Sequence, residues 1–173
     1  MKRLFSLLVA VVIMATSFTL SAQSLVGSWS SSPGSQIAML EAAGAKLNDV
    51  RATQRFNEDG TYDIYCYIDL SINLQGIQMY TVMEYTQNGT WHYADNILSC
   101  TYDNFDIKEL DVRFDDPSLD MFKDDFAEGF KGAFEQFLGT ELSYDVTFTN
   151  DNEATLKIDT ELMPYEFTIT RLE

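Results

Sequence analysis

The sequence predicts an all-β fold with two helices, in which an antiparallel up-and-down sheet of roughly 8–10 strands closes into a barrel. After residue 50, apolar and polar residues alternate over long stretches, as in strands with one buried face. Short polar clusters such as Asp59-Gly60 separate these stretches and are typical of hairpin turns. Trp29 in the opening strand and Arg171 in the last strand indicate that the two terminal strands meet.

The chain begins with the layout of a secretory signal peptide. Met1-Lys2-Arg3 is basic, an apolar segment follows from Leu4 to Ala15, and Leu20-Ser21-Ala22 ends in a small residue. The apolar segment is shorter than the roughly 20 residues of a membrane span. We therefore predict a signal peptide over 1–22, cleaved near Ala22. A single domain over 23–173 is then periplasmic or secreted and does not span a membrane.

The charge balance restricts the partners of this domain. The chain has 27 acidic and 11 basic residues, for a formal net charge of −16. Because Lys2 and Arg3 lie in the predicted signal peptide, the mature domain is more negative still. Such a surface repels nucleic acid and anionic lipid, and it favours solubility or a basic protein partner.

The first elements are a strand, a helix and a second strand. The strand covers 25–31, and the helix covers 35–48 with Ser35 as its N-cap. The apolar stripe of this helix consists of Ile37, Leu40 and Leu47. The second strand covers 51–57 and ends before the Asp59-Gly60 turn.

The middle of the chain consists of strands joined by tight turns. Turns are expected at Gln87-Asn88-Gly89 and at Asp95-Asn96. The strands they separate are predicted over 61–71, 77–87, 89–95, 97–103 and 107–114. Three further strands close the chain at 142–149, 153–159 and 163–172.

A second helix is predicted over 117–138, between these two groups of strands. Asp116 can cap it, Pro117 suits its first position, and Gly139 marks its end. Phenylalanines about one turn apart form a stripe: Phe122, Phe126, Phe130, Phe134 and Phe137. The stripe either packs against the barrel and seals it, or serves as a lid over its mouth. The residues assigned to the lid are Phe122, Phe126, Phe130 and Phe134.

Cys66 and Cys100 are the only cysteines, and both occupy inward positions of predicted strands. We expect them three strands apart, farther than the roughly 7 Å between Cα atoms that a disulfide allows. Buried free thiols are therefore favoured over a bridge.

Several short motifs carry a family resemblance. They are Gly27-Ser28-Trp29, the hairpin from Phe56 to Tyr62, and Gly89-Thr90-Trp91. This combination resembles small exported bacterial lipocalin-like domains of the calycin superfamily. The resemblance implies that Trp29 packs at one barrel end beneath Arg171, where a cation–π contact closes the barrel without taking part in chemistry.

The inward face of the barrel is the candidate binding site. Methionine and aromatic side chains with a few hydroxyl groups can line an adaptable apolar pocket, although the same residues also build ordinary cores. A small hydrophobic or amphipathic ligand is the expected occupant. The candidate residues are Tyr62, Ile64, Ile68, Met79, Thr81, Met83, Tyr85, Trp91, Tyr144, Phe148 and Phe167.

Residues for catalysis are scarce in this sequence. His92 is the only histidine, and its position between Trp91 and Tyr93 places it on the outer face. One histidine and two separated cysteines do not form a zinc site, and no Ser/His/Asp arrangement or phosphate-binding glycine loop occurs. We therefore expect no catalytic residues, no metal and no cofactor, and a protein that is not an enzyme.

The alternative function is that of a packed barrel that acts as a protein-interaction or inhibitor module through its acidic surface. Tyr65 and Tyr67 face outward between Asp63 and Asp69. Aromatic rings flanked by carboxylates suit a basic protein partner.

Overall fold

The computed structural model describes residues 24–34, 41, 44–74, 76–135, 138–158 and 165–173. Within these ranges, eight antiparallel strands form a closed barrel in sequence order, which confirms the predicted fold class. The predicted signal peptide over 1–22 lies outside the described residues. The strands are β1 Gly27–Pro33, β2 Ala45–Phe56, β3 Thr61–Leu74, β4 Ile77–Ala94, β5 Ile97–Phe114, β6 Glu141–Asn150, β7 Glu153–Ile158 and β8 Tyr165–Arg171.

The barrel closes between β1 and β8. Trp29 on β1 lies opposite Gln54 of β2 on one side and opposite Arg171 of β8 on the other. The first and last strands are therefore neighbours, as the sequence predicted. Every strand lies between two partners in this ring, so no strand is left at an open edge of the ring.

The turn predicted at Gln87-Asn88-Gly89 is wrong, because β4 runs without interruption from Ile77 to Ala94. The register with β5 shifts between Asn88 and Gly89. The backbones of β4 and β5 approach each other closely at this shift, and only glycine fits there. A Cβ atom at position 89 would collide with the carbonyl oxygen of Thr101 on β5. The strands predicted over 97–103 and 107–114 are likewise one continuous strand, β5.

The helix predicted over 35–48 is wrong in its last part. Gly44 is in a turn with a φ of 81°, and β2 begins at Ala45, so Leu47 lies on a strand opposite Leu70 of β3. The apolar residues in this part are spaced as in a helix, but the backbone from Ala45 onward forms strand hydrogen bonds with β3 instead. The rest of the predicted helix, at 35–40 and 42–43, lies outside the described residues.

The second predicted helix is present as a 3₁₀ turn over Pro117–Phe122 followed by helix α1 over Lys123–Glu135. Asp116 caps the turn, since its carboxylate accepts a 2.9 Å hydrogen bond from the backbone N–H of Ser118. Residues 136–137 lie outside the described part. No helix within the described ranges is long and apolar enough to cross a membrane.

The two ends of the barrel differ in construction. At the end that we call the Trp29 end, hairpins join β2 to β3, β4 to β5 and β6 to β7, and Arg171 ends β8. At the opposite end, the Thr81 end, a hairpin joins β3 to β4 close to Met79, Thr81 and Met83. Strands β2–β5 have 12 to 18 residues and β6–β8 have 6 to 10, so the wall at the Thr81 end is mainly β2–β5.

Candidate ligand-binding interior

The Trp29 end is closed by a layer of charge and aromatic contacts. The guanidinium carbon of Arg171 lies 4.2 Å from the Trp29 ring centroid, which confirms the predicted contact. Arg171 donates 2.7 Å hydrogen bonds to the carbonyl oxygens of Val26 and Ser24, and the Trp29 indole N–H donates to that of Leu25 at 2.7 Å. These bonds hold the entering chain across this end, so the pair is structural.

Aromatic rings fill the interior above this layer. Phe56 and Trp91 meet edge-on with centroids 5.2 Å apart, and Phe148 lies 6.4 Å from Trp29. Such contacts stabilise a core beyond the area that they bury. Six of the sequence candidates for ligand contact belong to this cluster: Tyr62, Ile64, Trp91, Tyr144, Phe148 and Phe167.

A polar layer borders this core. The Gln87 side-chain amide donates to the Tyr62 hydroxyl at 3.3 Å, and that of Gln54 donates to Ser31 Oγ at 2.6 Å. Burial, followed by the neighbouring Tyr102, raises the pKa of Tyr62, so its phenol stays protonated and donates to the Thr101 carbonyl at 3.5 Å. The sequence interpretation missed both glutamines, although counting by twos from Phe56 and Tyr85 places them inward.

The Thr81 end has a different interior. Strand pairing aligns Thr81 with Leu70 on one side and Val112 on the other. Met79 and Met83 occupy the inward positions before and after Thr81, and both are buried. Val112 on β5 is buried as well, but most of the neighbours on β3 and β5 are only half-buried. These half-buried residues are Ile68, Leu70, Ile72, Leu110 and Phe114. At the Trp29 end, Trp29, Phe56 and Tyr62 are fully buried, with partly buried aromatic rings packed against them.

Thr81 contains the most unusual atom of this layer. The residue is 2% exposed, and its Oγ1 has no hydrogen-bond partner within the part of the chain that the structure describes. A buried polar group without a partner costs about 1–3 kcal/mol. A threonine hydroxyl can both donate and accept hydrogen bonds, and among the described residues this capacity of Thr81 is unused.

The two cysteines are buried free thiols on different levels of the barrel. Cys66 on β3 lies opposite Tyr85 of β4, and Cys100 on β5 lies opposite Trp91 of β4, so the cysteines are two strands apart rather than three. Burial raises the pKa of Cys66, against the effect of a hydrogen bond with Tyr85, and it raises the pKa of Cys100 to about 12. Both thiols therefore stay protonated near neutral pH, which makes them weak nucleophiles.

The Phe stripe only partly contacts the barrel. Phe126 meets Phe114 of β5 with ring centroids 5.4 Å apart. Nevertheless Phe122 is 42% exposed, Phe126 is 38% exposed, and Phe130 is half-buried. These three rings line an open groove of about 430 Å³ together with Asp125 and Gly129. The side chain of Phe134, the fourth residue assigned to the lid, lies outside the described residues.

The outer face of β2–β5 carries the residues of the alternative function. Tyr65 is exposed, whereas the ring of Tyr67 is covered by Arg51, whose guanidinium carbon lies 4.8 Å from the ring centroid. His92 is exposed, as predicted. A separate groove of about 520 Å³ crosses this face, lined by Asn48, Asp69, Tyr80, Val82, Asp111, Arg113 and Phe114.

No group of three His, Cys, Asp or Glu side chains among the described residues is arranged to bind a metal ion. The chain matches no protein-family model, and it matches no curated protein. The functional conclusion therefore depends on the geometry of the barrel.

Proposed function

We propose that the protein is an exported, lipocalin-like barrel that binds a small hydrophobic or amphipathic molecule at the Thr81 end, without catalysis. The observation that carries this proposal is the unpartnered Thr81 hydroxyl between two buried methionines. Methionine side chains adapt to ligands of different shape because they are unbranched and flexible. A mainly apolar interior with a few placed polar groups is the usual composition of a small-molecule site.

The division of the barrel into two ends supports this location. At the Trp29 end, the fully buried rings of Trp29, Phe56 and Tyr62 are surrounded by partly buried aromatic rings, and the Gln54 and Gln87 side chains form hydrogen bonds above them. At the Thr81 end, Ile68, Leu70 and Ile72 of β3 and Leu110 of β5 keep part of their surface accessible, whereas Val112 of β5 is buried. A ligand that covers this apolar surface gains roughly 25 cal/mol for each Å² removed from water.

Binding can be tested with N-phenyl-1-naphthylamine, an uncharged fluorophore whose emission rises in apolar surroundings. We expect saturable binding to the purified protein. The substitution Met83→Trp should weaken it at least about tenfold, because an indole occupies the layer around Thr81. The matched control is Val82→Trp, one residue away on the same strand but on the outer face, which should leave the dissociation constant unchanged.

Two further measurements keep this test decisive. Phe126→Ser removes an exposed ring of the helical groove, so loss of the signal in this variant alone would place the probe outside the barrel. Because Met83→Trp can also disturb folding, the probe should be shown to raise the unfolding midpoint of the unmodified protein, as any ligand of the native state does. A protein with no saturable probe binding and no shifted midpoint is not a carrier of this type.

The exposed outer face favours a second candidate function, binding of a basic protein segment. Tyr80 is exposed beside Asp69 and Asp111 in the groove of about 520 Å³. Titration with a lysine-rich peptide in 50 mM and 500 mM salt tests this function. Specific binding should weaken with salt and fall in a Tyr80→Ser variant. Equal affinity of Tyr80→Ser and the unmodified protein would rule out this groove.

A further inference from the structure

We infer that the ligand of the Thr81 end is uncharged: a molecule with a hydrocarbon body and a single hydroxyl, amide or carbonyl group that hydrogen-bonds to Thr81 Oγ1, which rests on the binding function proposed above. Fatty-acid-like carboxylates and phosphate-headed lipids are then poor ligands. Three features of the barrel lead to this conclusion: the composition of the inward layer, the position of the cations, and the chemistry of the threonine hydroxyl.

On β3, β4 and β5, the inward layer around Thr81 is apolar apart from Thr81 itself. Leu70, Thr81 and Val112 lie side by side across β3, β4 and β5. The rows before and after this one contain only aliphatic, methionine and aromatic side chains. These neighbours are Ile72, Met79 and Phe114 in one row, and Ile68, Met83 and Leu110 in the other.

The cations nearest to these strand segments have exposed side chains or form ion pairs elsewhere. Lys46 lies opposite Ser71 of β3 and is exposed, and Lys108 pairs with Asp106. Arg51 and Arg113 form ion pairs with Asp49 and Asp111, and each has a well-exposed side chain. Arg171 lies over Trp29 at the opposite end of the barrel. A carboxylate bound beside Thr81 would therefore be buried without a counter-ion, which is strongly unfavourable. The formal net charge of −16 adds a general repulsion of anions.

The hydroxyl of Thr81 selects for a molecule with a polar group, and the missing counter-ion restricts that group to a neutral one. It can donate to a carbonyl oxygen, or donate to and accept from an alcohol. A pure hydrocarbon would leave it unpartnered, and sites that contain a buried polar group discriminate against molecules that cannot satisfy it. The preferred ligand thus has one hydrogen-bonding group at the depth of Thr81.

The experiment compares two probes with the same alkyl chain, 1-decanol and decanoate, as competitors of bound N-phenyl-1-naphthylamine at pH 8. We expect decanol to displace the fluorophore at a concentration at least about tenfold lower than decanoate. If the fluorophore itself does not bind, the proposed function fails. If it binds and decanoate competes as well as decanol, or neither competes, only the inference of an uncharged ligand is overturned.

Decanol is more hydrophobic than decanoate and would enter any apolar site more readily, so the role of Thr81 needs its own variant. Thr81→Val keeps the shape of the side chain and removes the hydroxyl. It should weaken decanol about fivefold, the effect of one neutral hydrogen bond, and leave decanoate unchanged. Equal weakening of both probes, or of neither, would contradict a hydrogen bond from Thr81 to the ligand.

A cation introduced beside Thr81 provides the reverse test. Leu70 is the cross-strand neighbour of Thr81 and is half-buried, so Leu70→Lys places an ammonium group near the layer. Decanoate should then compete at least about tenfold better than in the matched variant Leu70→Met. No gain for decanoate in a folded Leu70→Lys protein would mean that the missing cation does not exclude anions.

Discussion

The two ends of this barrel share the long strands β2–β5 and the same alternation of inward and outward residues, yet they are filled in different ways. At the Trp29 end, Trp29, Phe56 and Tyr62 are fully buried. The Trp29 indole N–H donates to the Leu25 carbonyl oxygen, and the Tyr62 hydroxyl accepts from Gln87. At the Thr81 end, Met79 and Met83 are buried beside the Thr81 hydroxyl, which has no hydrogen-bond partner among the residues that the structure describes. A packed core tolerates few such groups, so the two ends differ in how completely their buried polar atoms are paired.

Strand length explains how one barrel can have both kinds of interior. β5 pairs with β6 only over Ile97–Thr101, near the Trp29 end. Beyond that point β2–β5 continue, and α1 packs against β5 through Phe126 and Phe114. Where strands face strands on all sides, side chains interdigitate into a core. Where the long strands extend past the short ones, the inward side chains have fewer partners.

The largest expected effect is a difference in stability between equally buried residues at the two ends. Leu98 at the Trp29 end is 1% exposed and Met79 at the Thr81 end is 2% exposed. Leu98→Ala should lower the free energy of unfolding by about 3–5 kcal/mol, because the surrounding aromatic core cannot collapse into the cavity. Met79→Ala should cost about 2 kcal/mol or less, because its adaptable neighbours can relax. Urea denaturation of both variants measures the difference.

The addition of the fluorophore N-phenyl-1-naphthylamine sharpens this comparison. A ligand at the Thr81 end should stabilise the Leu98→Ala protein as much as the unmodified protein, and stabilise Met79→Ala less. Equal losses of stability in both variants, with equal stabilisation by the fluorophore, would show that the two ends are one continuous core.

The second expected effect concerns two glycines in different surroundings. Gly89 lies on β4 against the backbone of β5, where a Cβ atom would collide with Thr101 O and lie 3.0 Å from a Tyr62 ring carbon. Gly89→Ala should therefore destabilise the protein by about 1–3 kcal/mol, as overpacking does. Gly129 on α1 has no such neighbour within 4 Å. Gly129→Ala should stabilise the helix by up to about 1 kcal/mol.

Thermal or urea unfolding of the two alanine variants gives the sign of each change. A loss of stability in Gly129→Ala comparable to that in Gly89→Ala would mean that the groove of α1 is as tightly filled as the barrel wall. Such a result would mean that the residues around Gly129 on α1 are packed as tightly as those around Gly89 in the barrel wall.

Gly89 also shows what the sequence can and cannot predict. Alternation is a local property, so it predicted the strands, and the Asp59-Gly60 and Asp95-Asn96 turns are where the sequence placed them. Next to Gln87 and Asn88, Gly89 has the composition of a turn. A glycine is needed at position 89 because the backbone of β5 passes close to it, and β5 follows later in the chain. Local composition does not contain that information.

The same distinction applies to the candidate site. Counting by twos assigned Tyr62, Thr81 and Trp91 to the inward face, because parity along a strand fixes the face. Parity does not reveal the level of each residue relative to the strands across the barrel. Only the three-dimensional arrangement separates Tyr62 and Trp91, which belong to the packed core, from Thr81, which has no partner among the described residues. The contact between Trp29 and Arg171 was predicted from the resemblance to lipocalin-like barrels, because closure makes the terminal strands neighbours but does not by itself fix which of their residues meet.

The smallest expected effect is a loss of stability at alkaline pH that originates mainly at the Trp29 end. Cys100 belongs to that core, and burial, helped by the negative charge of Glu141, raises the pKa of its thiol from 9.0 to about 12. Because the folded-state pKa lies above the unfolded one, the contribution of Cys100 is fully present below pH 9. It is lost as the pH rises from 9 towards 12, since the unfolded chain releases a proton that the folded chain retains.

One such proton changes the free energy of unfolding by at most about 1.4 kcal/mol per pH unit. The unfolding midpoint in urea at pH 8, 9 and 10 measures this slope below the range in which Tyr62, whose pKa is also raised, contributes strongly. Cys100→Ala should flatten the slope. Cys66→Ala should flatten it less, because the hydrogen bond with Tyr85 opposes the effect of burial on the pKa of Cys66. The opposite result would be a pH dependence of stability that is unchanged in Cys100→Ala but abolished in Cys66→Ala. Cys66, which lies nearer the Thr81 end, would then be the better-shielded thiol, and the assignment of the packed core to the Trp29 end would be reversed.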